Sequence, residues 1–103
     1  MDQMNYQNKK VLVYGWARSG KAVYQLLKKI GANVYVTADE KPTDLFDDVN
    51  FVDDIDESFD LLVKNPGIRY EKEIIKKALN LNIPVITEVQ VALDQFKGEV
   101  LAV

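Results

Sequence analysis

Hydrophobic and polar positions in the first 37 residues change from strand periodicity to helix periodicity and back. Residues Lys10 to Gly15 read KVLVYG, a short continuous apolar run typical of a strand buried on both faces. Apolar residues then recur at helical spacing from Ala22 to Ile30, and Gly31 stands where such a helix would end. A second β-rich run covers Asn33–Thr37. The pattern predicts a βαβ unit whose helix is capped by Ser19.

The remainder of the chain predicts more strands and helices in alternation. The polar segment Ala38–Glu57 predicts a loop with at most a short strand around Asn50–Val52. Later elements are expected as a strand at Phe59–Val63, a helix at Glu71–Leu81, a strand at Ile83–Ile86, a helix from a Thr87–Gln90 capping box through Gln95, and a strand at Glu99–Val103. Alternation at this spacing indicates an α/β, Rossmann-like, doubly wound and mainly parallel sheet of about five strands with helices on both faces.

Length and composition limit the possible functions. The 103 residues suit one domain, and the apolar run at the end favours a longer parent protein. There is no cysteine and no histidine, which excludes disulfides, thiolate metal sites and a histidine base. No apolar run has the length of a membrane span and no signal peptide opens the chain, so we expect a cytoplasmic location and no membrane partner.

Charge is distributed unevenly along the chain. Ten acids and one base, Lys41, lie between Asp39 and Asp60, while the other bases are scattered over predicted helix faces. An acidic segment repels a phosphate backbone, and nucleic-acid-binding surfaces usually present clustered bases. We therefore expect no nucleic-acid partner.

The turn after the first strand has the composition of a phosphate-binding turn. Residues Gly15 to Gly20 read GWARSG, with Gly15 suited to a tight turn and Gly20 to close packing of helix on strand. Ala17 replaces the middle glycine of a dinucleotide fingerprint, and its methyl group would displace a pyrophosphate from its usual position against the backbone. Arg18 offers a bidentate donor to a diphosphate instead. A plain strand–helix turn without a ligand would have the same pattern.

Two later segments follow predicted strands and should reach the same edge of the sheet. Asp39 comes 19 residues after Gly20, where a carboxylate accepts hydrogen bonds from a ribose or a base edge. Lys41 is the base nearest to it and suits a ligand or an ion pair. Asn65 and Gly67 flank a proline in a pattern that predicts a type II turn with positive φ at the glycine. The alternatives are a solvated acidic loop and a turn selected only for its geometry.

Two other residues have open roles, and no catalytic set is present. Trp16 is expected to be exposed, either stacking on a ligand or packing against a neighbouring domain. Glu88 opens a predicted helix, where a negative charge is favourable, so a structural role is expected. No carboxylate pair, nucleophile–base set or phosphate-binding lysine loop occurs, so we expect no catalytic residues in this chain.

Four motifs in order resemble a known family. They are Gly15–Gly20 after a VLVYG strand, Ala38-Asp39-Glu40-Lys41-Pro42, Lys64-Asn65-Pro66-Gly67-Ile68, and Pro84-Val85-Ile86-Thr87-Glu88-Val89. Together they resemble the N-terminal domain of the Mur ligases, and within that family the branch that adds D-glutamate. The resemblance covers essentially the whole chain.

The resemblance implies a site for UDP and gives each part of it a role. The implied contacts are Arg18 and Ser19 to the diphosphate, Asp39, Glu40 and Lys41 around the uracil, and Asn65 and Gly67 against the uridine. With the residues that shape the first turn, the candidate site comprises Gly15, Ala17, Arg18, Ser19, Gly20, Asp39, Glu40, Lys41, Asn65 and Gly67.

The resemblance also implies what lies outside this sequence. The parent would be a three-domain, monomeric ligase that acts on UDP-N-acetylmuramoyl-L-alanine, with residues 1–103 as the N-terminal domain. ATP and Mg²⁺ would bind to a central ATPase domain, and D-glutamate to a C-terminal domain, so this fragment would be inactive alone. Two alternatives remain open from the residues themselves: the NAD(P)-binding domain of an oxidoreductase, and a nucleotide-sensing regulatory domain.

Overall fold

The fold contains five strands and three helices in a computed structural model that describes residues 6–65, 67 and 72–96. The strands are β1 (Lys10–Tyr14), β2 (Asn33–Thr37), β3 (Asn50–Phe51), β4 (Leu61–Lys64) and β5 (Val85–Thr87). The helices are α1 (Arg18–Lys29), α2 (Glu73–Asn80) and α3 (Glu88–Phe96). All four strand pairs are parallel, and the sheet order is β3-β2-β1-β4-β5.

Both faces of the sheet are buried, because successive residues of the central strand point to opposite sides. Val11 and Val13 of β1 belong to a core shared with α1 and α3, whereas Leu12 and Tyr14 belong to a core shared with α2. The buried helix residues on the first side are Val23, Tyr24, Leu27 and Val91, and those on the second side are Ile75 and Ala78. The predicted doubly wound α/β architecture is confirmed.

The sheet places a crevice at its centre. From β1 the chain moves outward through β2 to β3 and then returns to the opposite side of β1 as β4. The order therefore reverses between β1 and β4, and ligands of open α/β sheets bind beyond the carboxyl ends of the strands at such a point. The residues that follow β1 and β4 are the two predicted turns.

The elements agree with the sequence predictions in kind, and their limits differ by a few residues. The β4 strand begins at Leu61 because Phe59 lies in a turn, where its N–H donates to Asp56 O at 3.2 Å. The β5 strand is shifted to Val85–Thr87.

Some predictions lie outside the described residues, namely the start of the α2 helix at Glu71 and the last strand at Glu99–Val103. Within the described part, no helix combines the length and the apolar character needed to cross a membrane.

Candidate nucleotide-binding site

The turn between β1 and α1 requires glycine at both ends. Gly15 has φ 110°, a left-handed conformation that other residues avoid, and its N–H donates to Thr37 O at 2.8 Å. A Cβ on Gly20 would lie 2.6 Å from Gly15 O, so only glycine allows the helix to pack this closely on the strand. The predicted structural roles of the two glycines, in the tight turn and in the close packing of helix on strand, are confirmed.

The first turn of α1 lacks a side-chain cap. The helix begins at Arg18 and its N-cap is Ala17, which has no side-chain acceptor. The prediction that Ser19 caps the helix is wrong, because Ser19 lies inside the first turn. Ala17, Arg18 and Ser19 are exposed, and within the described part of the chain the side chain of Arg18 makes no hydrogen bond or ion pair. The start of α1 therefore offers free N–H groups, a positive dipole end and an unpaired guanidinium to an anion.

Trp16 does not face the crevice. It is 8% exposed, and its ring packs edge-on against Tyr24 and Phe46 at centroid distances of 5.5 and 5.1 Å. Its Nε1 donates to Asp44 O at 3.3 Å. The expectation of an exposed ring is wrong, because the loop after β2 folds back and supplies Phe46 as a cover. Trp16 anchors this loop to α1 and is not available for stacking on a ligand.

Asn65 connects the two turns at the switch point. Its Nδ2 donates to Ser19 Oγ at 3.1 Å, and its Oδ1 accepts from the N–H of Gly67 at 2.8 Å. The Asn65 side chain thus closes onto the backbone two residues later, and the type II turn stays a prediction because it includes residues that the structure does not describe. Pro66 and Ile68 lie outside the described residues.

Asp39 lies beside this crevice and is held by two partners. Its Oδ1 accepts from the Tyr14 hydroxyl, and its Oδ2 pairs with Lys72 Nζ at 2.9 Å. Together with Thr37 these residues line a pocket of about 380 Å³. The Tyr14 hydroxyl and then the Lys72 ammonium lower the pKa of Asp39. Burial, with the hydrogen bond to Asp39 and its negative charge, raises the pKa of Tyr14 to about 12.

The other two predicted uracil contacts lie further along the loop after β2. Glu40 and Lys41 are both exposed. The Lys41 ammonium lies 5.7 Å from the centroid of the Phe51 ring, over its face. The contacts of the described residues join Asn65 to Ser19 and to Gly67, and they do not join Glu40 or Lys41 to the first turn.

Four polar side chains near the crevice were not predicted as part of the site: Tyr14, Lys64, Lys72 and Glu88. Lys64 is 3% exposed, and its Nζ donates to Asn65 O at 3.4 Å. Glu88 is 5% exposed and adjoins Asn65. For Tyr14, Lys64 and Glu88 the signal available in the sequence was their position at the carboxyl ends of β1, β4 and β5, since all parallel strands end at one edge. Lys72 precedes α2 and had no such signal. No group of acidic residues among the described positions is arranged to hold a metal ion.

Comparison with solved structures identifies the fold. The chain superimposes on D-2-hydroxyisocaproate dehydrogenase with a TM-score of 0.65 and 24% identity, covering 92% of this chain and 33% of that one. Shikimate dehydrogenase from Aquifex aeolicus gives a TM-score of 0.62 and 17% identity over 88% of this chain and 46% of that one. At these identities the likeness extends to the Rossmann-like fold alone.

Sequence comparison identifies the family, although no family model matches the chain. The chain is 99% identical over its whole length to UDP-N-acetylmuramoylalanine–D-glutamate ligase of Oenococcus oeni, and covers 24% of that protein. It is 48% identical to the ligase of the same name from Leuconostoc citreum, of which it covers 26%. The Streptococcus pyogenes ligase is 42% identical over 85% of the chain. The chain thus spans about a quarter of the length of these relatives, and it belongs, as an N-terminal part, to the family of UDP-N-acetylmuramoylalanine–D-glutamate ligases.

Proposed function

We propose that this chain binds the UDP part of UDP-N-acetylmuramoyl-L-alanine and serves as the N-terminal domain of a ligase that joins D-glutamate to that substrate. The observation that carries the proposal is the uncapped start of α1 at the switch point of the sheet, with an Arg18 side chain that has no partner among the described residues. The relatives supply the identity of the ligand, because their name specifies a UDP-linked substrate.

The diphosphate fits the first turn in charge and in geometry. The first-turn N–H groups of α1 have no side-chain acceptor of their own and favour a negative charge. Arg18 is free to add a bidentate contact, and Ser19 adds a hydroxyl at the same position. Ala17 presents a methyl group where a dinucleotide site needs bare backbone, so side chains would hold much of the diphosphate.

The uracil fits the loop after β2. A uracil ring presents one N–H donor between two carbonyl acceptors. Each Asp39 oxygen has two lone pairs, so the carboxylate can accept from that N–H while it keeps its contacts to Tyr14 and Lys72. Lys41 is exposed on the same loop and suits a carbonyl oxygen.

The same arrangement fits a dinucleotide less well. The methyl of Ala17 obstructs the usual approach of a pyrophosphate to the backbone. The dehydrogenases with similar structures share the fold at low identity and give no argument for NAD.

The chemical step would take place elsewhere in the longer protein. We assign ATP, Mg²⁺ and D-glutamate to the parts of the relatives that this chain does not span, and no residue of this chain is proposed as catalytic. In this assignment the ligase is a monomer of three domains that acts in the cytoplasm during synthesis of peptidoglycan precursors. In this assignment residues 1–103 bind the UDP part of the substrate, and the other domains act on its L-alanine end.

Substitution of Arg18 in the full-length ligase tests the proposal. A charge-assisted hydrogen bond contributes about 1.5–3 kcal/mol, so Arg18→Ala should raise the KM for the UDP substrate about tenfold or more while the KM for ATP is unchanged. Lys29→Ala removes an exposed base at the other end of the same helix and is the matched control. An unchanged KM in Arg18→Ala, or an equal rise of the KM in Lys29→Ala, would contradict the assignment of the diphosphate to the start of α1.

A further inference from the structure

A glutamate lies buried directly beside the proposed diphosphate turn. Glu88 is the first residue of α3 and is 5% exposed. Among the described residues, its Oε2 has no hydrogen-bond partner although it is shielded from solvent. An unpartnered carboxylate oxygen in a protein interior costs free energy, so the contacts of the rest of the Glu88 side chain must compensate for the cost of burying it.

Those contacts lead to the amide of Asn65. Glu88 Oε1 is 3.4 Å from Asn65 Nδ2, and the same Nδ2 donates to Ser19 Oγ at 3.1 Å. The opposite end of the amide, Oδ1, accepts from the N–H of Gly67 at 2.8 Å. One side chain thus connects the turn after β1, the segment after β4 and the start of α3.

Glu88 contacts the first turn of α1 from its buried side. A Cβ on Gly20 would be 3.5 Å from Glu88 Oε2, which places the carboxylate against the buried side of the first helical turn. The exposed side of that turn carries Arg18 and Ser19. Glu88 and Ser19 also line one pocket of about 440 Å³. Because a carboxylate repels the negative charge of a diphosphate, we infer that Glu88 acts through Asn65 and not by direct contact with the ligand.

We propose that Glu88 is a positioning residue for the UDP site and acts through Asn65. Two acceptors, Glu88 Oε1 and Ser19 Oγ, fix the donor end of the amide and so direct its acceptor end to Gly67. This sets the separation of the two turns that border the crevice. The proposal rests on the proposed function for its ligand, while the link from Glu88 to Asn65 can be measured without ligand.

Three variants of the full-length ligase test the link. Glu88→Ala removes the acceptor, Glu88→Gln keeps an acceptor of the same reach, and Glu57→Ala removes an exposed loop glutamate as the control. Calorimetric titration with UDP should give a Kd about tenfold higher for Glu88→Ala, since one fixed hydrogen bond is lost. We expect Glu88→Gln and Glu57→Ala to bind UDP as the unsubstituted ligase does.

A double-mutant cycle distinguishes positioning from a general loss of stability. If Glu88 acts through Asn65, then Glu88→Ala should leave the Kd unchanged in an Asn65→Ala background. Spectra of the ligase labelled with ¹⁵N-asparagine should show the Asn65 side-chain amide displaced in Glu88→Ala and restored in Glu88→Gln, without any ligand present.

The outcomes separate the two proposals. Absence of UDP binding by the unsubstituted ligase overturns the proposed function, whereas the Asn65 amide still reports on Glu88. An unaltered Kd in Glu88→Ala overturns the positioning role, as does a Glu88→Gln variant that binds as weakly as Glu88→Ala. An equal loss in the Asn65→Ala background would also overturn it. If Glu88→Ala does not fold, Glu88→Asp replaces it: the side chain is one methylene shorter, so the Kd should rise and the Asn65 amide signal should move, and an unaltered Kd and amide signal in that variant would overturn the positioning role.

Discussion

Removal of the Tyr14 hydroxyl should make the chain less stable at neutral pH and more stable in strong alkali. Tyr14 is 5% exposed and donates to Asp39, and its pKa is raised from 10.0 to about 12. At neutral pH, Tyr14→Phe loses a hydrogen bond to a carboxylate. Because Asp39 is largely exposed, we expect a loss of only about 1 kcal/mol.

The stability difference between Tyr14→Phe and the unsubstituted chain changes sign in alkali because Tyr14 must remain protonated in the folded chain. A group with a raised folded pKa gives its full stabilisation below its unfolded pKa and loses it as pH rises toward the folded value. Between pH 10 and 12 the tyrosine ionises in the unfolded chain while Tyr14 is still largely protonated in the folded chain. At pH 11.5 this lowers the unfolding free energy of the unsubstituted protein by about 2 kcal/mol, and Tyr14→Phe has no such loss. The two stabilities should therefore cross at about pH 11.

Urea unfolding monitored by circular dichroism from pH 8 to 11.5 measures both free energies. The matched variant is Asp39→Asn, which removes the negative charge, keeps an amide oxygen that can accept from the Tyr14 hydroxyl, and keeps the burial that is the largest cause of the raised pKa. Asp39→Asn should still lose unfolding free energy in alkali, but over a narrower pH range, because the pKa of Tyr14 is raised less. A free-energy difference between Tyr14→Phe and the unsubstituted chain that stays constant over this range would refute the reasoning.

Three further perturbations test the fold around the site. Gly20→Ala should destabilise the chain by about 1–2 kcal/mol in urea unfolding, since overpacking against Gly15 O exceeds the gain in helix propensity, and a stabilised variant would contradict the packing. Trp16→Ala should cost about 3–5 kcal/mol, because it empties an aromatic cluster, and a cost below about 1 kcal/mol would mean that the ring is exposed. Asp39→Asn should remove a stabilisation that is present above about pH 4 and lost as pH falls through the lowered pKa, which acid titration of both proteins would measure.

The sequence predicted the features that depend on local pattern. An apolar run ending in glycine is compatible with few structures other than a buried strand and a tight turn, so β1 and the roles of Gly15 and Gly20 followed directly. The limits of β4 and β5 were less certain, because Phe59 and Ile83 are buried by packing without belonging to the strands.

The features that were mispredicted depend on residues distant in sequence. Trp16 is buried by Phe46, which lies thirty positions later in a segment that has no periodicity. Glu88 was interpreted as a simple helix opener because its approach to Asn65 is set by the sheet order.

Titration of UDP into the ¹⁵N-labelled chain tests the central claim most directly. The account predicts that the amides of Arg18 and Ser19, with those of Asp39 and Gly67, shift progressively and saturably, and that NAD at the same concentration causes smaller changes. If these four amides remain unmoved at millimolar UDP, or if NAD displaces them further than UDP does, the assignment of this crevice to UDP is contradicted.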